Sequence, residues 1–393
     1  MQINKAYKFK LKLTKTQEVL VNNWISTCRY LYNVAKEVRE VHYQKYGKTL
    51  HRYELAKQIT EVRAEFDWVK SVPVHTCQEV TERLDVAYKK FFDGGGYPKW
   101  AKKGRYNSIT LKITKGKKVI ENHNRLNLPK LGSVKYFASR EIEGDIKRVT
   151  IKKELDDYYM SVAVIIKANP KRVSNSQVGL DWGVKHLLSS SDGEHIANPR
   201  LLKKFEPKLK FLQQKLSRQK QGSSNWKKTK HQLSKLHRKV ARCRKDYFHK
   251  VSYRLTEKYG YIAVEKLNVK GMSKRSKPKL SEDGKTYLPN KAAAKSGLNK
   301  SILDAAPAML QTFIEYKTVW KGGDYEQVPA TDSSNECSEC GHVSKDNRKS
   351  QSEFECVACF HAENADKNAS KVILSRASFY KRGEPHPAVM LRA

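Results

Sequence analysis

Hydrophobic and polar residues alternate along this chain with two different periods. The opening segment AYKFKLKL has a period of two residues, which predicts a β-strand with one buried face. After it the spacing becomes helical, and the T-x-x-Q pattern of Thr14 and Gln17 is typical of a capped helix start. Two more helices are predicted near residues 51–66 and 73–92, and a run of three glycines with Pro98 marks the boundary that follows.

Strand and helix patterns continue to alternate through the rest of the chain. Short alternating segments within residues 106–167 predict a small antiparallel β domain, into which the first helices are inserted. Two apolar strands follow, VGLDWGVKHLL and YGYIAVEKLNV, and the first leads into a hairpin at LLSSSDGEHI. Between them, residues 201–250 predict a helical hairpin that is interrupted near QGSSN. A later helix has a boundary near Pro307.

Composition adds a strong positive charge to this picture. The 393 residues include 78 Lys and Arg against 40 Asp and Glu, a formal net charge of +38. Such a field attracts polyanions and gives a salt-dependent affinity for phosphate backbones. No apolar run approaches the roughly 20 residues that span a bilayer, and the N-terminal segment has no signal-peptide core. We therefore predict a cytoplasmic protein that handles nucleic acid, with a ribosome-associated or merely very soluble basic protein as the alternative.

The helices of residues 201–250 carry this charge most densely, with Glu206 and Asp246 as their acids. A cationic helix is often just a solvated face. Here, however, so many positive charges would repel one another unless something anionic lay against them. Contact with nucleic acid is therefore the favoured interpretation of this segment.

The seven cysteines fall into two groups. Cys28, Cys77 and Cys243 are isolated in helical sequence and are typical of small buried apolar residues. The other four form two C-x-x-C pairs: Cys337, Cys340, Cys356 and Cys359. Four thiolates at this spacing can surround one Zn²⁺ and leave no open position, which predicts a structural zinc ribbon. His342 or His361 could replace one ligand, and a redox role for the pairs is a weaker alternative.

Three acids form a second candidate constellation. Asp181 lies within an apolar strand between Gly179 and Gly183, so we expect open space above it that holds a metal, a phosphate or nothing. Glu265 ends the other apolar strand, and Asp366 lies in ENADKNASKVIL, which predicts the start of a helix. Two strand carboxylates and one helix carboxylate suit a pair of Mg²⁺ ions. Periodicity alone leaves open whether they meet, because a strand-end Glu is usually solvated and a helix-start acid usually serves the helix dipole.

Three longer segments resemble a known family in order and spacing. GLDWGVKHLLSSSDG, IAVEKLNVKGM and the segment from SSNECSEC to ENADKNASKVIL resemble the three RuvC motifs and the zinc ribbon of TnpB proteins. These proteins are encoded by insertion sequences and are related to Fanzor proteins and compact type V CRISPR effectors. The N-terminal AYKFKLKLTKTQEVLVNNWISTCRYLYN is similar to the start of that family, so the resemblance covers nearly the whole chain.

The resemblance implies an RNA-guided DNA endonuclease. Members of the family bind an omega RNA made from the transposon end, check a transposon-adjacent motif on duplex DNA and cut both strands with one RuvC site. On this basis Asp181, Glu265 and Asp366 are the catalytic residues and hold two Mg²⁺ ions, while the four paired cysteines hold one structural zinc. The expected partners are the guide RNA, double-stranded target DNA and its displaced strand. We expect one protein molecule per RNA, no membrane, and a location on the nucleoid when the target is bound.

The resemblance also implies a multidomain α+β fold. It combines a β-barrel-like wedge domain that carries a helical recognition insertion with an RNase H-like nuclease that carries an inserted zinc ribbon. The segments are a wedge strand at 1–13, a helical recognition domain at 14–93, the wedge β domain at 94–172, the nuclease with motifs I and II at 173–334, the zinc-ribbon target-nucleic-acid-binding module at 335–362, the motif III helix at 363–380 and a flexible tail at 381–393.

Candidate nucleic-acid contacts follow from the family's DNA-contacting regions and from the basic hairpin, with ordinary surface polarity as their alternative: Thr76, Gln78, Asn107, Lys227, Lys228, Arg238 and Arg242. The sequence departs from the family at Phe360, where many relatives have Gly, and at Ser370, where many have Ala. We therefore expect the turn after the last cysteine to differ. Two other functions compete with the nuclease, namely a nuclease-inactive RNA-guided repressor and a protein-guided transposase or resolvase.

Overall fold

The chain forms two compact units, Met1–Asn169 and Pro170–Ala393, and each is described by itself. A computed structural model describes residues 2–114, 119–167, 169–282 and 284–382, with side chains up to residue 377. The tail predicted at 381–393 lies outside the described residues from position 383 onward. None of the described helices has the length and apolar character that crossing a membrane requires.

In the described part of the first unit, four helices are inserted between the first strand and the other six strands. Its elements are β1 (Gln2–Lys12), α1 (Lys15–Tyr46), α2 (Arg52–Glu65), α3 (Asp67–Lys70), α4 (Val74–Phe92), β2 (Ser108–Lys112), β3 (Ile120–Asn122), β4 (Arg125–Leu128), β5 (Gly132–Tyr136), β6 (Asp145–Glu154) and β7 (Asp157–Lys167). The capping box predicted at Thr14 is present, because its hydroxyl accepts from the Gln17 amide N–H and the Gln17 side chain accepts from the Thr14 N–H. Helix α1 buries Trp24 completely against the common core of helices and sheet.

The seven strands of this unit lie in the order β2-β6-β7-β1-β5-β4-β3. Strand β1 lies near the middle, antiparallel to β7 and then, at Leu11 and Lys12, to β5. The prediction of a barrel-like sheet is wrong in one respect, since the described strands form no closed barrel. Side chains of α4 occupy one edge instead: Arg83 donates to the Ser108 carbonyl oxygen of β2 at 2.8 Å. Edge carbonyls satisfied in this way no longer need a partner strand.

The second unit contains the remaining strands and helices. They are β8 (Gln177–Trp182), β9 (His186–Ser190), β10 (His195–Ala197), α5 (Leu201–Ser217), α6 (Ser224–Lys258), β11 (Tyr261–Lys266), α7 (Val269–Met272), β12 (Lys279–Leu280), β13 (Tyr287–Leu288), α8 (Ala292–Ala305), α9 (Pro307–Trp320), β14 (Asp324–Pro329), β15 (Glu353–Glu355), β16 (Ala362–Asn364) and α10 (Ala365–Arg382). The β9–β10 hairpin, the break between α5 and α6 and the boundary at Pro307 confirm the elements predicted there.

A five-stranded sheet with the order β10-β9-β8-β11-β14 forms the centre of this unit. Strands β8, β11 and β14 are parallel, and β9 returns antiparallel beside β8. Helices α6 and α9 cover one face, where Leu180 and Val264 are fully buried. Helix α10 covers the other face through Ile373 and Ala377, which pack on Ala263. Both faces are covered, as is usual for parallel strands, and the second face carries the candidate acids.

Candidate functional site

The parallel register brings the two strand acids side by side. Strand β11 pairs with β8 up to Val264 and Leu180, so the next residues along the two strands are Glu265 and Asp181. Adjacent strands lie about 4.8 Å apart and alternate side chains share a face, which places both carboxylates on the α10 side. The site therefore lies where the carboxyl ends of two parallel strands meet.

Helix α10 brings the third acid onto the same face. A Cβ built on Gly179 would lie only 2.0 Å from the Ser370 carbonyl oxygen and 2.9 Å from the Leu374 amide nitrogen. The helix backbone thus rests directly on β8 at Gly179, so this glycine does not leave the open space that we expected beside Asp181. The Ser370 hydroxyl donates to the Ser189 carbonyl oxygen at 2.8 Å, which fixes the helix against β9. Asp366, one helical turn earlier, is thereby brought towards Asp181.

The charges of the other two acids act on the buried Asp181 carboxyl. Burial, followed by the negative charges of Glu265 and Asp366, raises the pKa of Asp181 well above its usual value. Burial also raises the pKa of Glu265, although a hydrogen bond from the Ser333 hydroxyl and the charge of Arg376 oppose that rise. Mutual repulsion among poorly solvated carboxylates is the condition that a bound cation relieves.

These oxygens are hard ligands of the kind that Mg²⁺ prefers, but they are not gathered around a single point. In the part of the chain that the structure describes, the one group of three or more ligand atoms that all lie within 4.8 Å of one another is the set of four cysteines. Asp181, Glu265 and Asp366 do not form such a group in the described residues.

Arg348 is a site residue that sequence reasoning missed. Its Nη2 lies 3.5 Å from the Asp366 carboxylate, and its charge favours the ionised form of Asp181. The carbonyl oxygens of Ser350 and Gln351 accept hydrogen bonds from the same guanidinium and hold it in place. It lies between the two cysteine pairs without a motif of its own, so only the fold reveals it.

The four paired cysteines form a compact set of sulfurs. Cys337 Sγ lies 3.6 Å from Cys359 Sγ, and Cys340 Sγ lies 3.5 Å from Cys356 Sγ. Burial opposes ionisation of Cys356, but the backbone N–H groups of Cys359 and Ala358 outweigh it and lower the pKa of this thiol to about 7. The set fits one tetrahedral zinc ion, and neither of the two candidate histidines belongs to it.

The two turns that carry these cysteines have the same geometry. The amide N–H of Gly341 donates to the Cys337 carbonyl oxygen at 3.0 Å, and that of Phe360 donates to the Cys356 carbonyl oxygen at 2.9 Å. Both residues are left-handed, with φ of 74° and 59°. The expectation of a different second turn is therefore wrong, because Phe360 adopts the conformation that glycine usually takes.

Buried polar contacts join the cysteine module to α10. The Asn368 side chain is fully buried, accepts from the Ser338 amide N–H at 2.9 Å and donates to the Glu336 carbonyl oxygen at 2.7 Å. About two turns further along the helix, Arg376 donates to the buried Glu336 carboxylate at 2.5 Å. The module and the helix that carries Asp366 are thus one connected block.

The candidate nucleic-acid contacts occupy very different surroundings. Thr76 is buried and its hydroxyl donates to the Thr110 carbonyl oxygen at 2.9 Å, so this candidate is a structural link rather than a surface contact. Gln78 is half-buried beside His75, and Asn107 is half-buried near the start of β2. On α6 the remaining candidates are fully or partly exposed: Lys227, Lys228, Arg238 and Arg242.

Comparisons with known proteins match this chain along most of its length. Protein-family models described as "Helix-turn-helix domain", "Probable transposase" and "Cas12f1-like, TNB domain" match residues 1–48, 150–276 and 308–373. Among solved structures, a Cas12f1 protein in a complex with sgRNA and target DNA superposes with a TM-score of 0.59 at 14% identity, covering 95% of this chain and 98% of that one.

Two curated relatives extend the match. "Putative RNA-guided DNA endonuclease InsQ" of Escherichia coli K12 is 33% identical over 374 residues, covering 94% of this chain and 91% of that protein. A "Putative RNA-guided DNA endonuclease" of Streptomyces pristinaespiralis is 25% identical over 385 residues, covering 95% and 89%. The chain therefore has a Cas12f-like fold. It belongs to the TnpB family, the OrfB proteins of IS605-type elements.

Proposed function

We propose that this protein is an RNA-guided DNA endonuclease of an insertion sequence. The observation that carries the proposal is the meeting of Asp181, Glu265 and Asp366 on one sheet face, where repulsion and burial raise the pKa of Asp181. Relatives named as RNA-guided DNA endonucleases support the same function. The guide is proposed to be RNA from the transposon end, and the target is DNA beside a transposon-adjacent motif.

The proposed catalytic residues differ in what they contribute. A pair of Mg²⁺ ions, when bound, supplies an activated water and stabilises the leaving oxygen of a phosphodiester. Asp181 and Glu265 would hold these ions from the sheet. The Ser333 hydroxyl orients the Glu265 carboxylate through its hydrogen bond. Asp366 completes the set from α10, and Arg348 lies beside it, where it can balance the charge of a bound phosphate.

The basic hairpin is proposed to hold nucleic acid through its backbone. Base pairing between guide and target reads sequence in such complexes, so the protein needs charge more than base-specific contacts. Lys227 and Lys228, exposed on α6, suit that role. The four cysteines are proposed to hold one structural zinc, which keeps Arg348 and α10 in place.

Replacing Asp181 tests the catalytic proposal. The protein is purified with its bound RNA, the RNA is sequenced, and plasmids that carry the matching target are incubated with and without Mg²⁺. Asp181→Asn should reduce cleavage by at least about 100-fold, since it removes a ligand of the reacting centre, while target binding in a gel-shift assay stays unchanged. Asp145→Asn, an exposed acid of the first unit, is the matched control and should cut normally.

Three outcomes would contradict the proposal. Full-rate cutting by Asp181→Asn would refute the assignment of this acid. Purification without any retained RNA would favour a protein-guided transposase or resolvase. Programmable binding without cutting by the unmodified protein would favour the RNA-guided repressor, although the presence of all three acids argues against it.

A further inference from the structure

A cavity of about 570 Å³ lies in the first unit, between the C-terminal ends of α1 and α4. Five aromatic residues contribute to its lining: Tyr43, Tyr88, Phe91, Phe92 and Tyr97. Its size is within the range of pockets that bind small molecules and single nucleotides. None of these residues belongs to the proposed nuclease site, which lies in the second unit.

The glycine run after α4 builds one wall of this cavity. Gly94 is left-handed, and a Cβ on Gly95 would lie 2.4 Å from the Lys90 carbonyl oxygen, so the chain reverses tightly at the helix end. The reversal places the Tyr97 ring edge-on to Phe91, with 5.1 Å between ring centroids. Tyr97 also meets Tyr88 edge-on at 5.8 Å. The backbone turn after α4 therefore fixes the position of the Tyr97 ring against Phe91 and Tyr88.

A buried guanidinium forms part of the lining. Arg39 is 5% exposed, stacks at 4.1 Å on the ring of Tyr88 and donates from Nε to the Thr49 hydroxyl at 3.0 Å. Among the residues that the structure describes, its Nη1 has no hydrogen-bond partner, and the Asp85 carboxylate lies 3.8 Å away. A buried donor without an acceptor is unfavourable. The cavity lining therefore includes a guanidinium with one hydrogen-bonding group unused.

The charges around the cavity are balanced. Lys36 is paired with Glu40, whose carboxylate also accepts from the Tyr97 hydroxyl at 2.6 Å. Arg39 has Asp85 as its counter-ion. A phosphate would therefore find little net positive charge here, whereas a neutral ring with a polar edge would find stacking surfaces and a hydrogen-bond donor. Bases stack on aromatic side chains and on Arg in this way.

We propose that this cavity binds the base of one single-stranded nucleotide, from RNA or from DNA, between the exposed rings of Phe92 and Tyr43. These two rings are 70% and 59% exposed, so they are open to an incoming base. The inference rests on the proposed function, in which the chain handles single-stranded nucleic acid. The net charge of +38 supplies the attraction that brings a strand to the protein, and the cavity holds one base of it.

The test uses the full-length protein and trinucleotides with central 2-aminopurine, one of RNA and one of DNA, at about 0.3 M salt to weaken backbone attraction. Binding is followed by quenching of 2-aminopurine fluorescence, and 254 nm cross-linking with peptide mass spectrometry locates the contact. We expect cross-links on the peptides that carry Tyr43 or Phe92. The double variant Tyr43→Leu/Phe92→Leu should weaken binding about tenfold or more, because each lost base–aromatic stack costs about 1–3 kcal/mol.

Tyr287→Leu, an equally exposed ring in the second unit, is the matched control and should bind like the unmodified protein. A trinucleotide with an abasic centre and a terminal fluorophore, followed by fluorescence anisotropy, should bind the double variant and the unmodified protein equally. Unchanged affinity of the double variant, or an equal loss with the abasic probe, would overturn the proposal. Comparing the two sugars shows whether RNA or DNA is preferred. The assay needs neither Mg²⁺ nor cleavage, so its result is independent of whether the protein proves to be a nuclease.

Discussion

Gly179 determines how closely the helix that carries Asp366 can approach the strand that carries Asp181. Gly179→Ala would place its methyl group 2.0 Å from the Ser370 carbonyl oxygen, so α10 must move away. Overpacking of this kind costs about 1–3 kcal/mol. We expect Gly179→Ala to lower the free energy of unfolding in urea by this amount and to weaken cleavage. Gly297→Ala is the control, since no atom lies within 4 Å of its Cβ in helix α8, and it should be neutral or slightly stabilising.

An unshifted unfolding midpoint for Gly179→Ala would show that the helix can retreat without cost. It would also mean that the position of Asp366 does not depend on close packing of α10 against this strand. From the sequence we expected Gly179 and Gly183 to leave open space beside Asp181, because a pattern along one strand does not show what packs on it. The space that the strand pattern left open is filled by backbone from much later in the chain.

Phe360 holds a left-handed conformation that few side chains adopt, with φ of 59°. Its ring is 76% exposed, so the residue gains little packing in return. Phe360→Gly should therefore stabilise the protein by about 1 kcal/mol, the usual strain of such a residue. Thermal unfolding measures the gain, and zinc content should remain at about one ion per chain.

Phe360→Ala provides the matched control, because it removes the ring but keeps a Cβ at the same φ. Equal stabilisation by Ala and Gly would contradict the strain explanation and would point to the exposed ring instead. The resemblance to the family indicated this position, while the structure shows that the turn itself is retained.

At the scale of elements, the buried pair of Glu336 and Arg376 connects the cysteine module with α10. Glu336→Gln would leave the guanidinium buried beside a neutral group and should cost about 3–5 kcal/mol, as measured by denaturant unfolding. Asp246→Asn breaks an exposed pair with Lys250 on α6 and should change stability by less than about 1 kcal/mol. If Glu336→Gln and Asp246→Asn lowered the free energy of unfolding by similar amounts, the buried pair would not be what joins the cysteine module to α10.

Local patterns predicted most elements of this fold. The capping box at Thr14 and the turn around Gly193 depend on residues close in sequence, so they could be read directly. The open edge of the first sheet could not be predicted from local patterns, because it depends on a hydrogen bond from Arg83 of α4 to the carbonyl oxygen of Ser108. Thr76 was misjudged for the same reason, since its hydroxyl is used by a strand that follows much later.

The three acids show both what could be predicted from the sequence and what could not. Their order and spacing matched a family, which led to Asp181, Glu265 and Asp366 as candidates. The parallel register and the α10 contact that bring them to one face are properties of the assembled unit. Arg348 was missed because it has no spacing rule, and only its 3.5 Å approach to Asp366 marks it.

At the scale of the whole molecule, the charge of +38 should make nucleic-acid binding steeply dependent on salt. A protein that neutralises six to ten phosphates loses about 10³–10⁵ in affinity between 50 mM and 200 mM salt. The double variant Lys227→Gln/Lys228→Gln should reduce the slope of log affinity against log salt by about 1.8, if each lysine contacts one phosphate. Fluorescence anisotropy with duplex DNA over a KCl series measures this slope.

Lys250→Gln is the control on the same helix, because its charge already pairs with Asp246 at 2.8 Å. We expect this variant to keep the slope of the unmodified protein. An unchanged slope for the double variant would remove these two lysines from the binding surface.

The close contact between Gly179 and Ser370 also has a consequence for the newly made chain. A ribosome releases β8 and β11 long before α10, so Asp181 and Glu265 emerge without the third acid and with the sheet face above them bare. The late arrival of α10 means that such a nascent chain carries two of the three acids of the proposed nuclease site, and that the proposed site is complete only after α10 has packed on the sheet.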